Sequence, residues 1–204
     1  MTLDWFLPYM LIELPGCPQP LVKQALLSAA SEFCRRTHAW NEVQEPIELQ
    51  PGVRDYELDA PSGARVCVAL DVMVNNRPLR PLRPTLPEEA SCPVWFNMAI
   101  ERGMLSLYPT PTQAETMRVR AAYEPTEDAQ TLPDFLGHDY LEAMTGGAKA
   151  ILMAIPGKTW SHPDLVPYHR QKFDDAVVEA LADELHGRTV GTVTLRPVRF
   201  GAQT

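Results

Sequence analysis

The tripeptide Gly157-Lys158-Thr159 has the ending of a phosphate-binding loop, in which lysine and hydroxyl reach phosphate and its metal. The full pattern, G-x-x-x-x-G-K-[ST], requires glycine at position 152, where the chain has Leu152. Gly146 and Gly147 lie too far upstream to close the same turn. Such a loop works through a nest of backbone N–H groups. Leu152-Met153-Ala154-Ile155-Pro156 reads instead as the apolar end of a helix, followed by a proline with no N–H to offer. The stretch is expected to connect two helices. Pro156-Gly157 stops the first, and Ser161-His162-Pro163-Asp164 starts the second, with Ser161 or Asp164 as its cap.

The other reactive residue types form no constellation. The histidines are His38, His138, His162, His169 and His186. His138-Asp139 is a dipeptide found in metal phosphohydrolases, but adjacent helical residues do not share a face, so a solvated helix face is the better reading. Glu88-Glu89, Glu127-Asp128 and Asp174-Asp175 are adjacent pairs as well, and none aims two carboxylates at one bond. No G-x-S-x-G is present. Cys17, Cys34, Cys67 and Cys92 form neither a C-x-x-C pair nor a zinc spacing. Four free thiols, packed as small apolar groups, are expected. Aromatic residues do not alternate with basic ones, so no single-strand-binding platform shows. No catalytic, cofactor-binding or metal-binding residue is assigned, and a structural or interaction role is expected rather than an enzymatic one.

A chain of 204 residues, 45% hydrophobic and 22% charged, is of globular composition and long enough for one domain carrying a sizeable insertion. Its formal charge of −8 makes it a poor holder of nucleic acid, whose affinity comes from neutralised phosphates. Lining a passage that DNA slides through remains compatible with that charge. The apolar N-terminus has no basic n-region and is interrupted by Asp4, Pro8 and Glu13, so a signal peptide is not expected. No stretch approaches a membrane span. The expectation is a protein kept in the cytosol unless it leaves inside a particle.

Periodicity supplies the elements. Leu21, Val22, Ala25, Leu26, Ala29 and Phe33 predict a helix over about 19–39, with Pro20 in its first turn. Residues 43–129 read as about six short strands in a small antiparallel sandwich or barrel. In that segment Pro51-Gly52 and Asn75-Asn76 should turn hairpins, Val66, Val68, Leu70, Val72 and Val74 should alternate on one face, and Met117, Val119 and Ala121 should do so on the last strand. Glu101-Arg102-Gly103 and Pro109-Thr110-Pro111 should separate strands. Pro133 should open one long helix with Leu136, Tyr140, Ala143, Met144, Ala148, Ile151 and Ile155 on one face. Inside it, Gly146-Gly147 should mark the close crossing of another helix. A last helix over about 164–186 should bury Phe173, Val177, Leu181 and Leu185, tolerate Pro167 in its first turn and stop at Gly187. The predicted fold is α+β. Residues 1–42 and 130–187 form a helical bundle, 43–129 an inserted β domain, and 188–204 an extended C-terminal arm.

Several segments, in order, resemble the head-to-tail adaptor (connector) proteins of short-tailed bacteriophages. They are "LPGCP" at 14–18, "AASEFCRRTHAW" at 29–40, "NNRPLRPL" at 75–82, "PVWFN" at 93–97, "LSLYPTPTQAETMRVRAAYEP" at 105–125, "LPDFLGHDYLEAMTGGAKAILMAIPGKTWSHPDL" at 132–165 and "YHRQKFDDAV" at 168–177. The P-G-K-x-W stretch and the L-x-L-Y-P-x-P strand carry most of it, and in that family P-G-K-x-W is the turn between two helices. The resemblance implies a ring, usually of twelve copies, beneath the portal of a DNA-filled head. The helical part would form its wall, and the β insertion would face the tail tube, nozzle or fibres. Double-stranded DNA would pass without stable binding. No catalysis, cofactor or membrane is implied. The location would be the virion head–tail junction, after assembly in the host cytoplasm. Arg188, Leu195, Arg196, Val198, Arg199 and Phe200 are then the expected portal contact, with Phe200 as apolar anchor and Arg196 and Arg199 paired to acidic groups. The competing readings are another tail-completion or minor capsid protein, and a small metal-dependent hydrolase using His138 and Asp139.

Overall fold

The computed structural model describes residues 1–82, 92–99 and 103–186. A proline in the first turn, where its missing N–H costs nothing, opens the long helix α2 (Gln19–Thr37). It ends two residues earlier than expected, because His38 takes a left-handed φ of 55° while its N–H caps the Cys34 carbonyl at 2.8 Å. Before it stands an element the periodicity did not reveal. A short 3-10 turn, Leu3–Phe6, runs into α1 (Leu7–Leu11); Phe6 and Met10 are completely buried, as is Leu14 just beyond the helix.

Nine strands are described: β1 (Asn41–Val43), β2 (Ile47–Glu48), β3 (Asp55–Glu57), β4 (Ala64–Val74), β5 (Arg77–Pro78), β6 (Arg80–Pro81), β7 (Trp95–Ala99), β8 (Met104–Tyr108) and β9 (Thr116–Pro125). They form two open sheets and not a closed barrel. One runs β1-β9-β4-β5 with β2 also on β9, and the other runs β3-β8-β7-β6. Pairing is antiparallel except between β6 and β7. Asn75 and Asn76, with φ of 47° and 63°, turn the β4–β5 hairpin as their residue type predicts. Pro51-Gly52 turns the chain but makes no hairpin. β2 goes to β9 and β3 to β8, in different sheets, and the Gly52 N–H is taken by Pro111 at 2.8 Å. Strict alternation along β4 also fails. Register shifts at Val66/Val68 and Ala69/Asp71 insert bulges, so Val66, Ala69, Val72 and Val74 are buried while Val68 and Leu70 are only partly so.

The single helix expected after Pro133 is two: α3 (Asp134–His138) and α4 (Leu141–Met153). Tyr140 leaves the helical region at φ −125°, ψ 28°. Its ring packs against Phe33 at 4.8 Å and Phe135 at 6.2 Å. α4 is enclosed on several sides, with Leu152 and Met153 buried and Ile151 39% exposed, so no single stripe describes it. A 3-10 turn, Pro163–Leu165, leads into α5 (Val166–His186), with Pro167 in its first turn. Neither Ser161 nor Asp164 caps it with a side chain, and the Ser161 hydroxyl donates to the Met153 carbonyl instead. α5 buries Phe173, Val177 and Ala180, while Leu181 is exposed. A step of four residues drifts off a 3.6-residue face, and the step of seven to Ala180 stays on it. The Leu185 side chain and Gly187 lie outside the described residues.

Two apolar clusters result. One gathers α1 to α5 around Phe6, Phe33, Leu136, Met144 and Phe173. The other draws on both sheets around Leu49, Phe96, Leu105, Met117 and Val119. Trp40 packs against both, with its ring 5.8 Å from that of Tyr123.

Candidate functional site

Next to that joint, β9 carries a carboxylate that the strand buries. Glu124 is 3% exposed and answers to three donors from two other elements. Its Oε2 accepts from the Ser31 hydroxyl at 2.7 Å and from Arg35 Nε and Nη2 at 3.0 and 2.8 Å. Its Oε1 accepts from Arg65 Nε at 2.8 Å. Ser31 and Arg35 lie one turn apart on the outer side of α2, so helical spacing brings both to one point. Arg65 comes from the start of β4, where it pairs directly with Glu124 in the ladder. Burial opposes the ionised form of Glu124. The hydrogen bonds from Ser31, Arg35 and Arg65 outweigh it, holding the carboxyl below the usual carboxylate range.

Ser31, Arg35 and Arg65 line a cleft of about 510 Å³ between α2 and the sheet, together with Gln24, Ser28, Glu32, Thr126 and Glu127. The chemistry of the cluster is that of an anchor. A carboxylate saturated by charged donors is a weak base, and the neighbouring thiols are unreactive. Burial, with the charge of Glu124 adding to it, pushes Cys67 up to about 11. Burial likewise raises Cys34. All four cysteines are free.

Two further ion-pair sets tie the helices together. Arg36 of α2 reaches Asp174 of α5 at 2.6 Å, and Arg170 of α5 returns to Glu32 of α2 at 3.0 Å. At the end of α1, Glu13 accepts from Lys149 of α4 at 2.6 Å and faces His169 of α5 at 3.2 Å. Lys149 and His169 are both buried. The bond from Lys149 holds Glu13 below its usual range. Burial depresses His169 against the pull of Glu13, with Lys149 and Lys172 adding to the depression.

The chemistry suggested by single residues does not assemble. Gly157, with φ 71°, sits in a turn, and Thr159 donates to the Pro15 carbonyl at 3.1 Å; this is a joint between loops, with no helix opening behind it. His138 and Asp139 straddle the end of α3, and no group of three metal-ligating side chains forms among the described residues. Asp174 is committed to Arg36 and Arg170, while Asp175 accepts from Gln171. Gly146 and Gly147 face α5. A Cβ on Gly147 would lie 2.6 Å from the Phe173 ring and 3.0 Å from Ala29 Cβ, and one on Gly146 would lie 3.4 Å from the His169 carbonyl. Glu88-Glu89 and the arm residues Arg188, Leu195, Arg196, Val198, Arg199 and Phe200 lie outside the described residues.

The model of one protein family, described as SU10 adaptor protein, matches residues 7–198. The chain belongs to the SU10 adaptor family. No curated protein matches it. Membership agrees with the resemblance read in the sequence: this is a phage structural adaptor, from a family of structural proteins and not of enzymes. No described helix is long and apolar enough to cross a membrane.

In this adaptor, sequence reasoning missed Glu124, Ser31, Arg35 and Arg65. Glu124 lies 93 residues from Ser31, 89 from Arg35 and 59 from Arg65. The one available signal was local: a carboxylate that follows Ala121-Ala122-Tyr123 and precedes Pro125 at the end of a strand.

Proposed function

We propose that this SU10-family adaptor assembles as a ring, of about twelve copies as in the short-tailed phages it resembles, at the virion head–tail junction. The ring sits beneath the portal, extends the DNA channel and offers the platform on which tail tube, nozzle or fibres dock. The family match over residues 7–198 carries this reading. In it, residues 1–42 and 130–187 form the ring wall and 43–129 an inserted domain directed at the tail. The two apolar clusters support that division. The Glu124 cluster is the rivet that holds sheet to helix while genome pressure and tail attachment load the joint. A charge of −8 per copy repels the phosphates of passing DNA and keeps the passage free of stable contacts. Segment 188–204 is the portal-binding arm, with assembly taking place in the host cytoplasm.

Electron microscopy of the protein mixed with the portal of the same genome tests the reading. A collar of new density under the portal ring is the expected result, and its symmetry counts the copies. A bare portal ring would refute portal docking and make the chain a tail-side component.

A further inference from the structure

The outer side of α5 carries acid that the fold does not neutralise. Asp175, Glu179 and Asp183 stand one turn apart on that helix, so they form a single row along it. Among the described residues none of the three takes part in an ion pair, and Asp175 accepts only from the neutral amide of Gln171, at 2.7 Å. Like charges at this spacing repel, and cations laid along the row would relieve them. The first two line a groove of about 420 Å³ between α4 and α5, which also presents Asp139 and Glu142. Its one lysine, Lys172, donates to Glu142 at 3.2 Å and lies over the Tyr168 ring at 5.2 Å. Four carboxylates therefore face a single ammonium that is already committed. Tyr168 and Val178, 55% and 66% exposed, stand on the same side of α5 and add apolar surface beside the row.

The row leads toward an occupant of complementary charge. It runs toward His186, where α5 ends. Segment 188–204 follows after one glycine, with three arginines, no acidic residue and the apolar side chains Val190, Val193, Leu195, Val198 and Phe200. At the helical rise, Glu179 and Asp175 lie roughly 10 and 16 Å back from His186. Arg196, ten residues beyond His186, reaches up to ~33 Å from it on an extended chain. A chain that doubles back after Gly187 therefore covers the whole row. The tether favours the groove of the same copy, because it holds the segment at an effective concentration on the order of millimolar, whereas the segment of a second copy competes only at the concentration of the protein.

We propose that in the free chain segment 188–204 folds back along the α4–α5 groove of its own copy, with its arginines on Asp175, Glu179 and Asp183. The use of this seat rests on the reading of the segment as the portal-binding arm. The same arginines serve both contacts, so the arm is shielded from other acidic surfaces until the portal, which also receives Phe200, outcompetes the groove. Exposed ion pairs add little to global stability, so the seat shows in the accessibility of the arm and not in the melting temperature.

Tryptic cleavage of the full chain at low salt tests the seat. Within the arm the cuts fall after Arg188 and Arg199, since Pro197 blocks the bond after Arg196. Asp175→Asn with Glu179→Gln and Asp183→Asn adds no tryptic site and removes mutual repulsion, so it should melt no lower than the wild type. The cut after Arg199 should be ~5-fold or more faster in that variant, because proteolysis follows the population of the open form. Arg196→Gln, a change outside the folded body, should speed the same cut. In ~0.5 M salt, where such pairs are screened, wild type and variants should be cut alike, and the low-salt protection should not change with protein concentration. Cleavage of either variant at the wild-type rate at low salt, or a difference that survives in high salt, would overturn the proposal. Protection that grows with concentration would overturn it too, by seating the arm on a second copy. A collar under the portal in the microscopy experiment would leave the adaptor reading standing in each of these cases, and a bare portal ring would leave the seat standing.

Discussion

Glu124 gathers Ser31, Arg35 and Arg65 at distances of 2.7–3.0 Å, and its replacement measures what the joint is worth. Glu124→Gln keeps the volume and removes the charge. The arginines are more than half exposed and can turn to water, so the loss falls below that of a fully buried pair. A destabilisation of roughly 1–3 kcal/mol is expected from the charged hydrogen bonds, read as a lower urea midpoint; an unchanged midpoint would mean the cluster adds nothing to stability. Acid should unfold the protein in two stages. His169 is held below its ordinary value of 6.5, so the unfolded chain takes up that proton first, and stability falls as pH drops below ~6.5. Glu13 and Glu124 are held below 4.5. The stability they give is present above that value and is lost as pH falls through their folded values. His169→Gln should flatten stability between pH ~7 and ~5 and leave the acid limb in place. An equal slope in both proteins would assign the first stage to other groups.

At the scale of elements, adjacent glycines separate two demands made on one helix. Gly147 has no room for a methyl group, with Phe173 and Ala29 already within 3.0 Å of the missing Cβ. Gly147→Leu should lower the melting temperature by an amount equivalent to roughly 1–3 kcal/mol, as overpacking does. Gly146 meets only the His169 carbonyl at 3.4 Å. Gly146→Ala should therefore melt no lower than the wild type and gain up to ~1 kcal/mol of helix propensity. A loss from Gly146→Ala as large as that from Gly147→Leu would mean that the His169 carbonyl crowds position 146 as tightly as Phe173 crowds position 147. The sequence foretold such a crossing from the glycines alone, because helix interiors seldom carry two without reason. It also located α2, α5 and the Asn75-Asn76 hairpin, where local propensity and tertiary packing agree. Elsewhere packing overrode the local signal. Tyr140 breaks the helix because Phe33 and Phe135 claim its ring, and Phe33 lies over a hundred residues away. The bulges of β4 follow from its partner β9, which local alternation does not encode. The Pro51-Gly52 turn was legible as a turn, but the choice of sheet on either side of it was a long-range matter. The Glu124 site was hidden for the same reason: each pair of contacts spans at least 59 residues.

For the molecule as a whole, charge is divided along the chain. Segment 188–204 holds three arginines and no acidic residue, so removing it takes the formal charge from −8 to −11. A basic segment at the end of an acidic body is fitted to carry an interaction outward, toward acidic groups of another protein. In the proposed arm, Arg196 and Arg199 pair with acidic groups of the portal and Phe200 fills an apolar pocket, the kind of anchor that dominates interfaces. Deleting 188–204 should abolish attachment to the portal and leave the melting temperature unchanged, because both apolar clusters lie wholly within residues before it. Single changes divide the contribution further. Phe200→Ala should slow nothing in association and speed release, whereas Arg196→Ala with Arg199→Ala should lower the association rate and its dependence on salt. Surface plasmon resonance on immobilised portal separates the two rates. Attachment by the truncated chain at wild-type affinity would remove the arm from the mechanism and place the portal contact on the helical body.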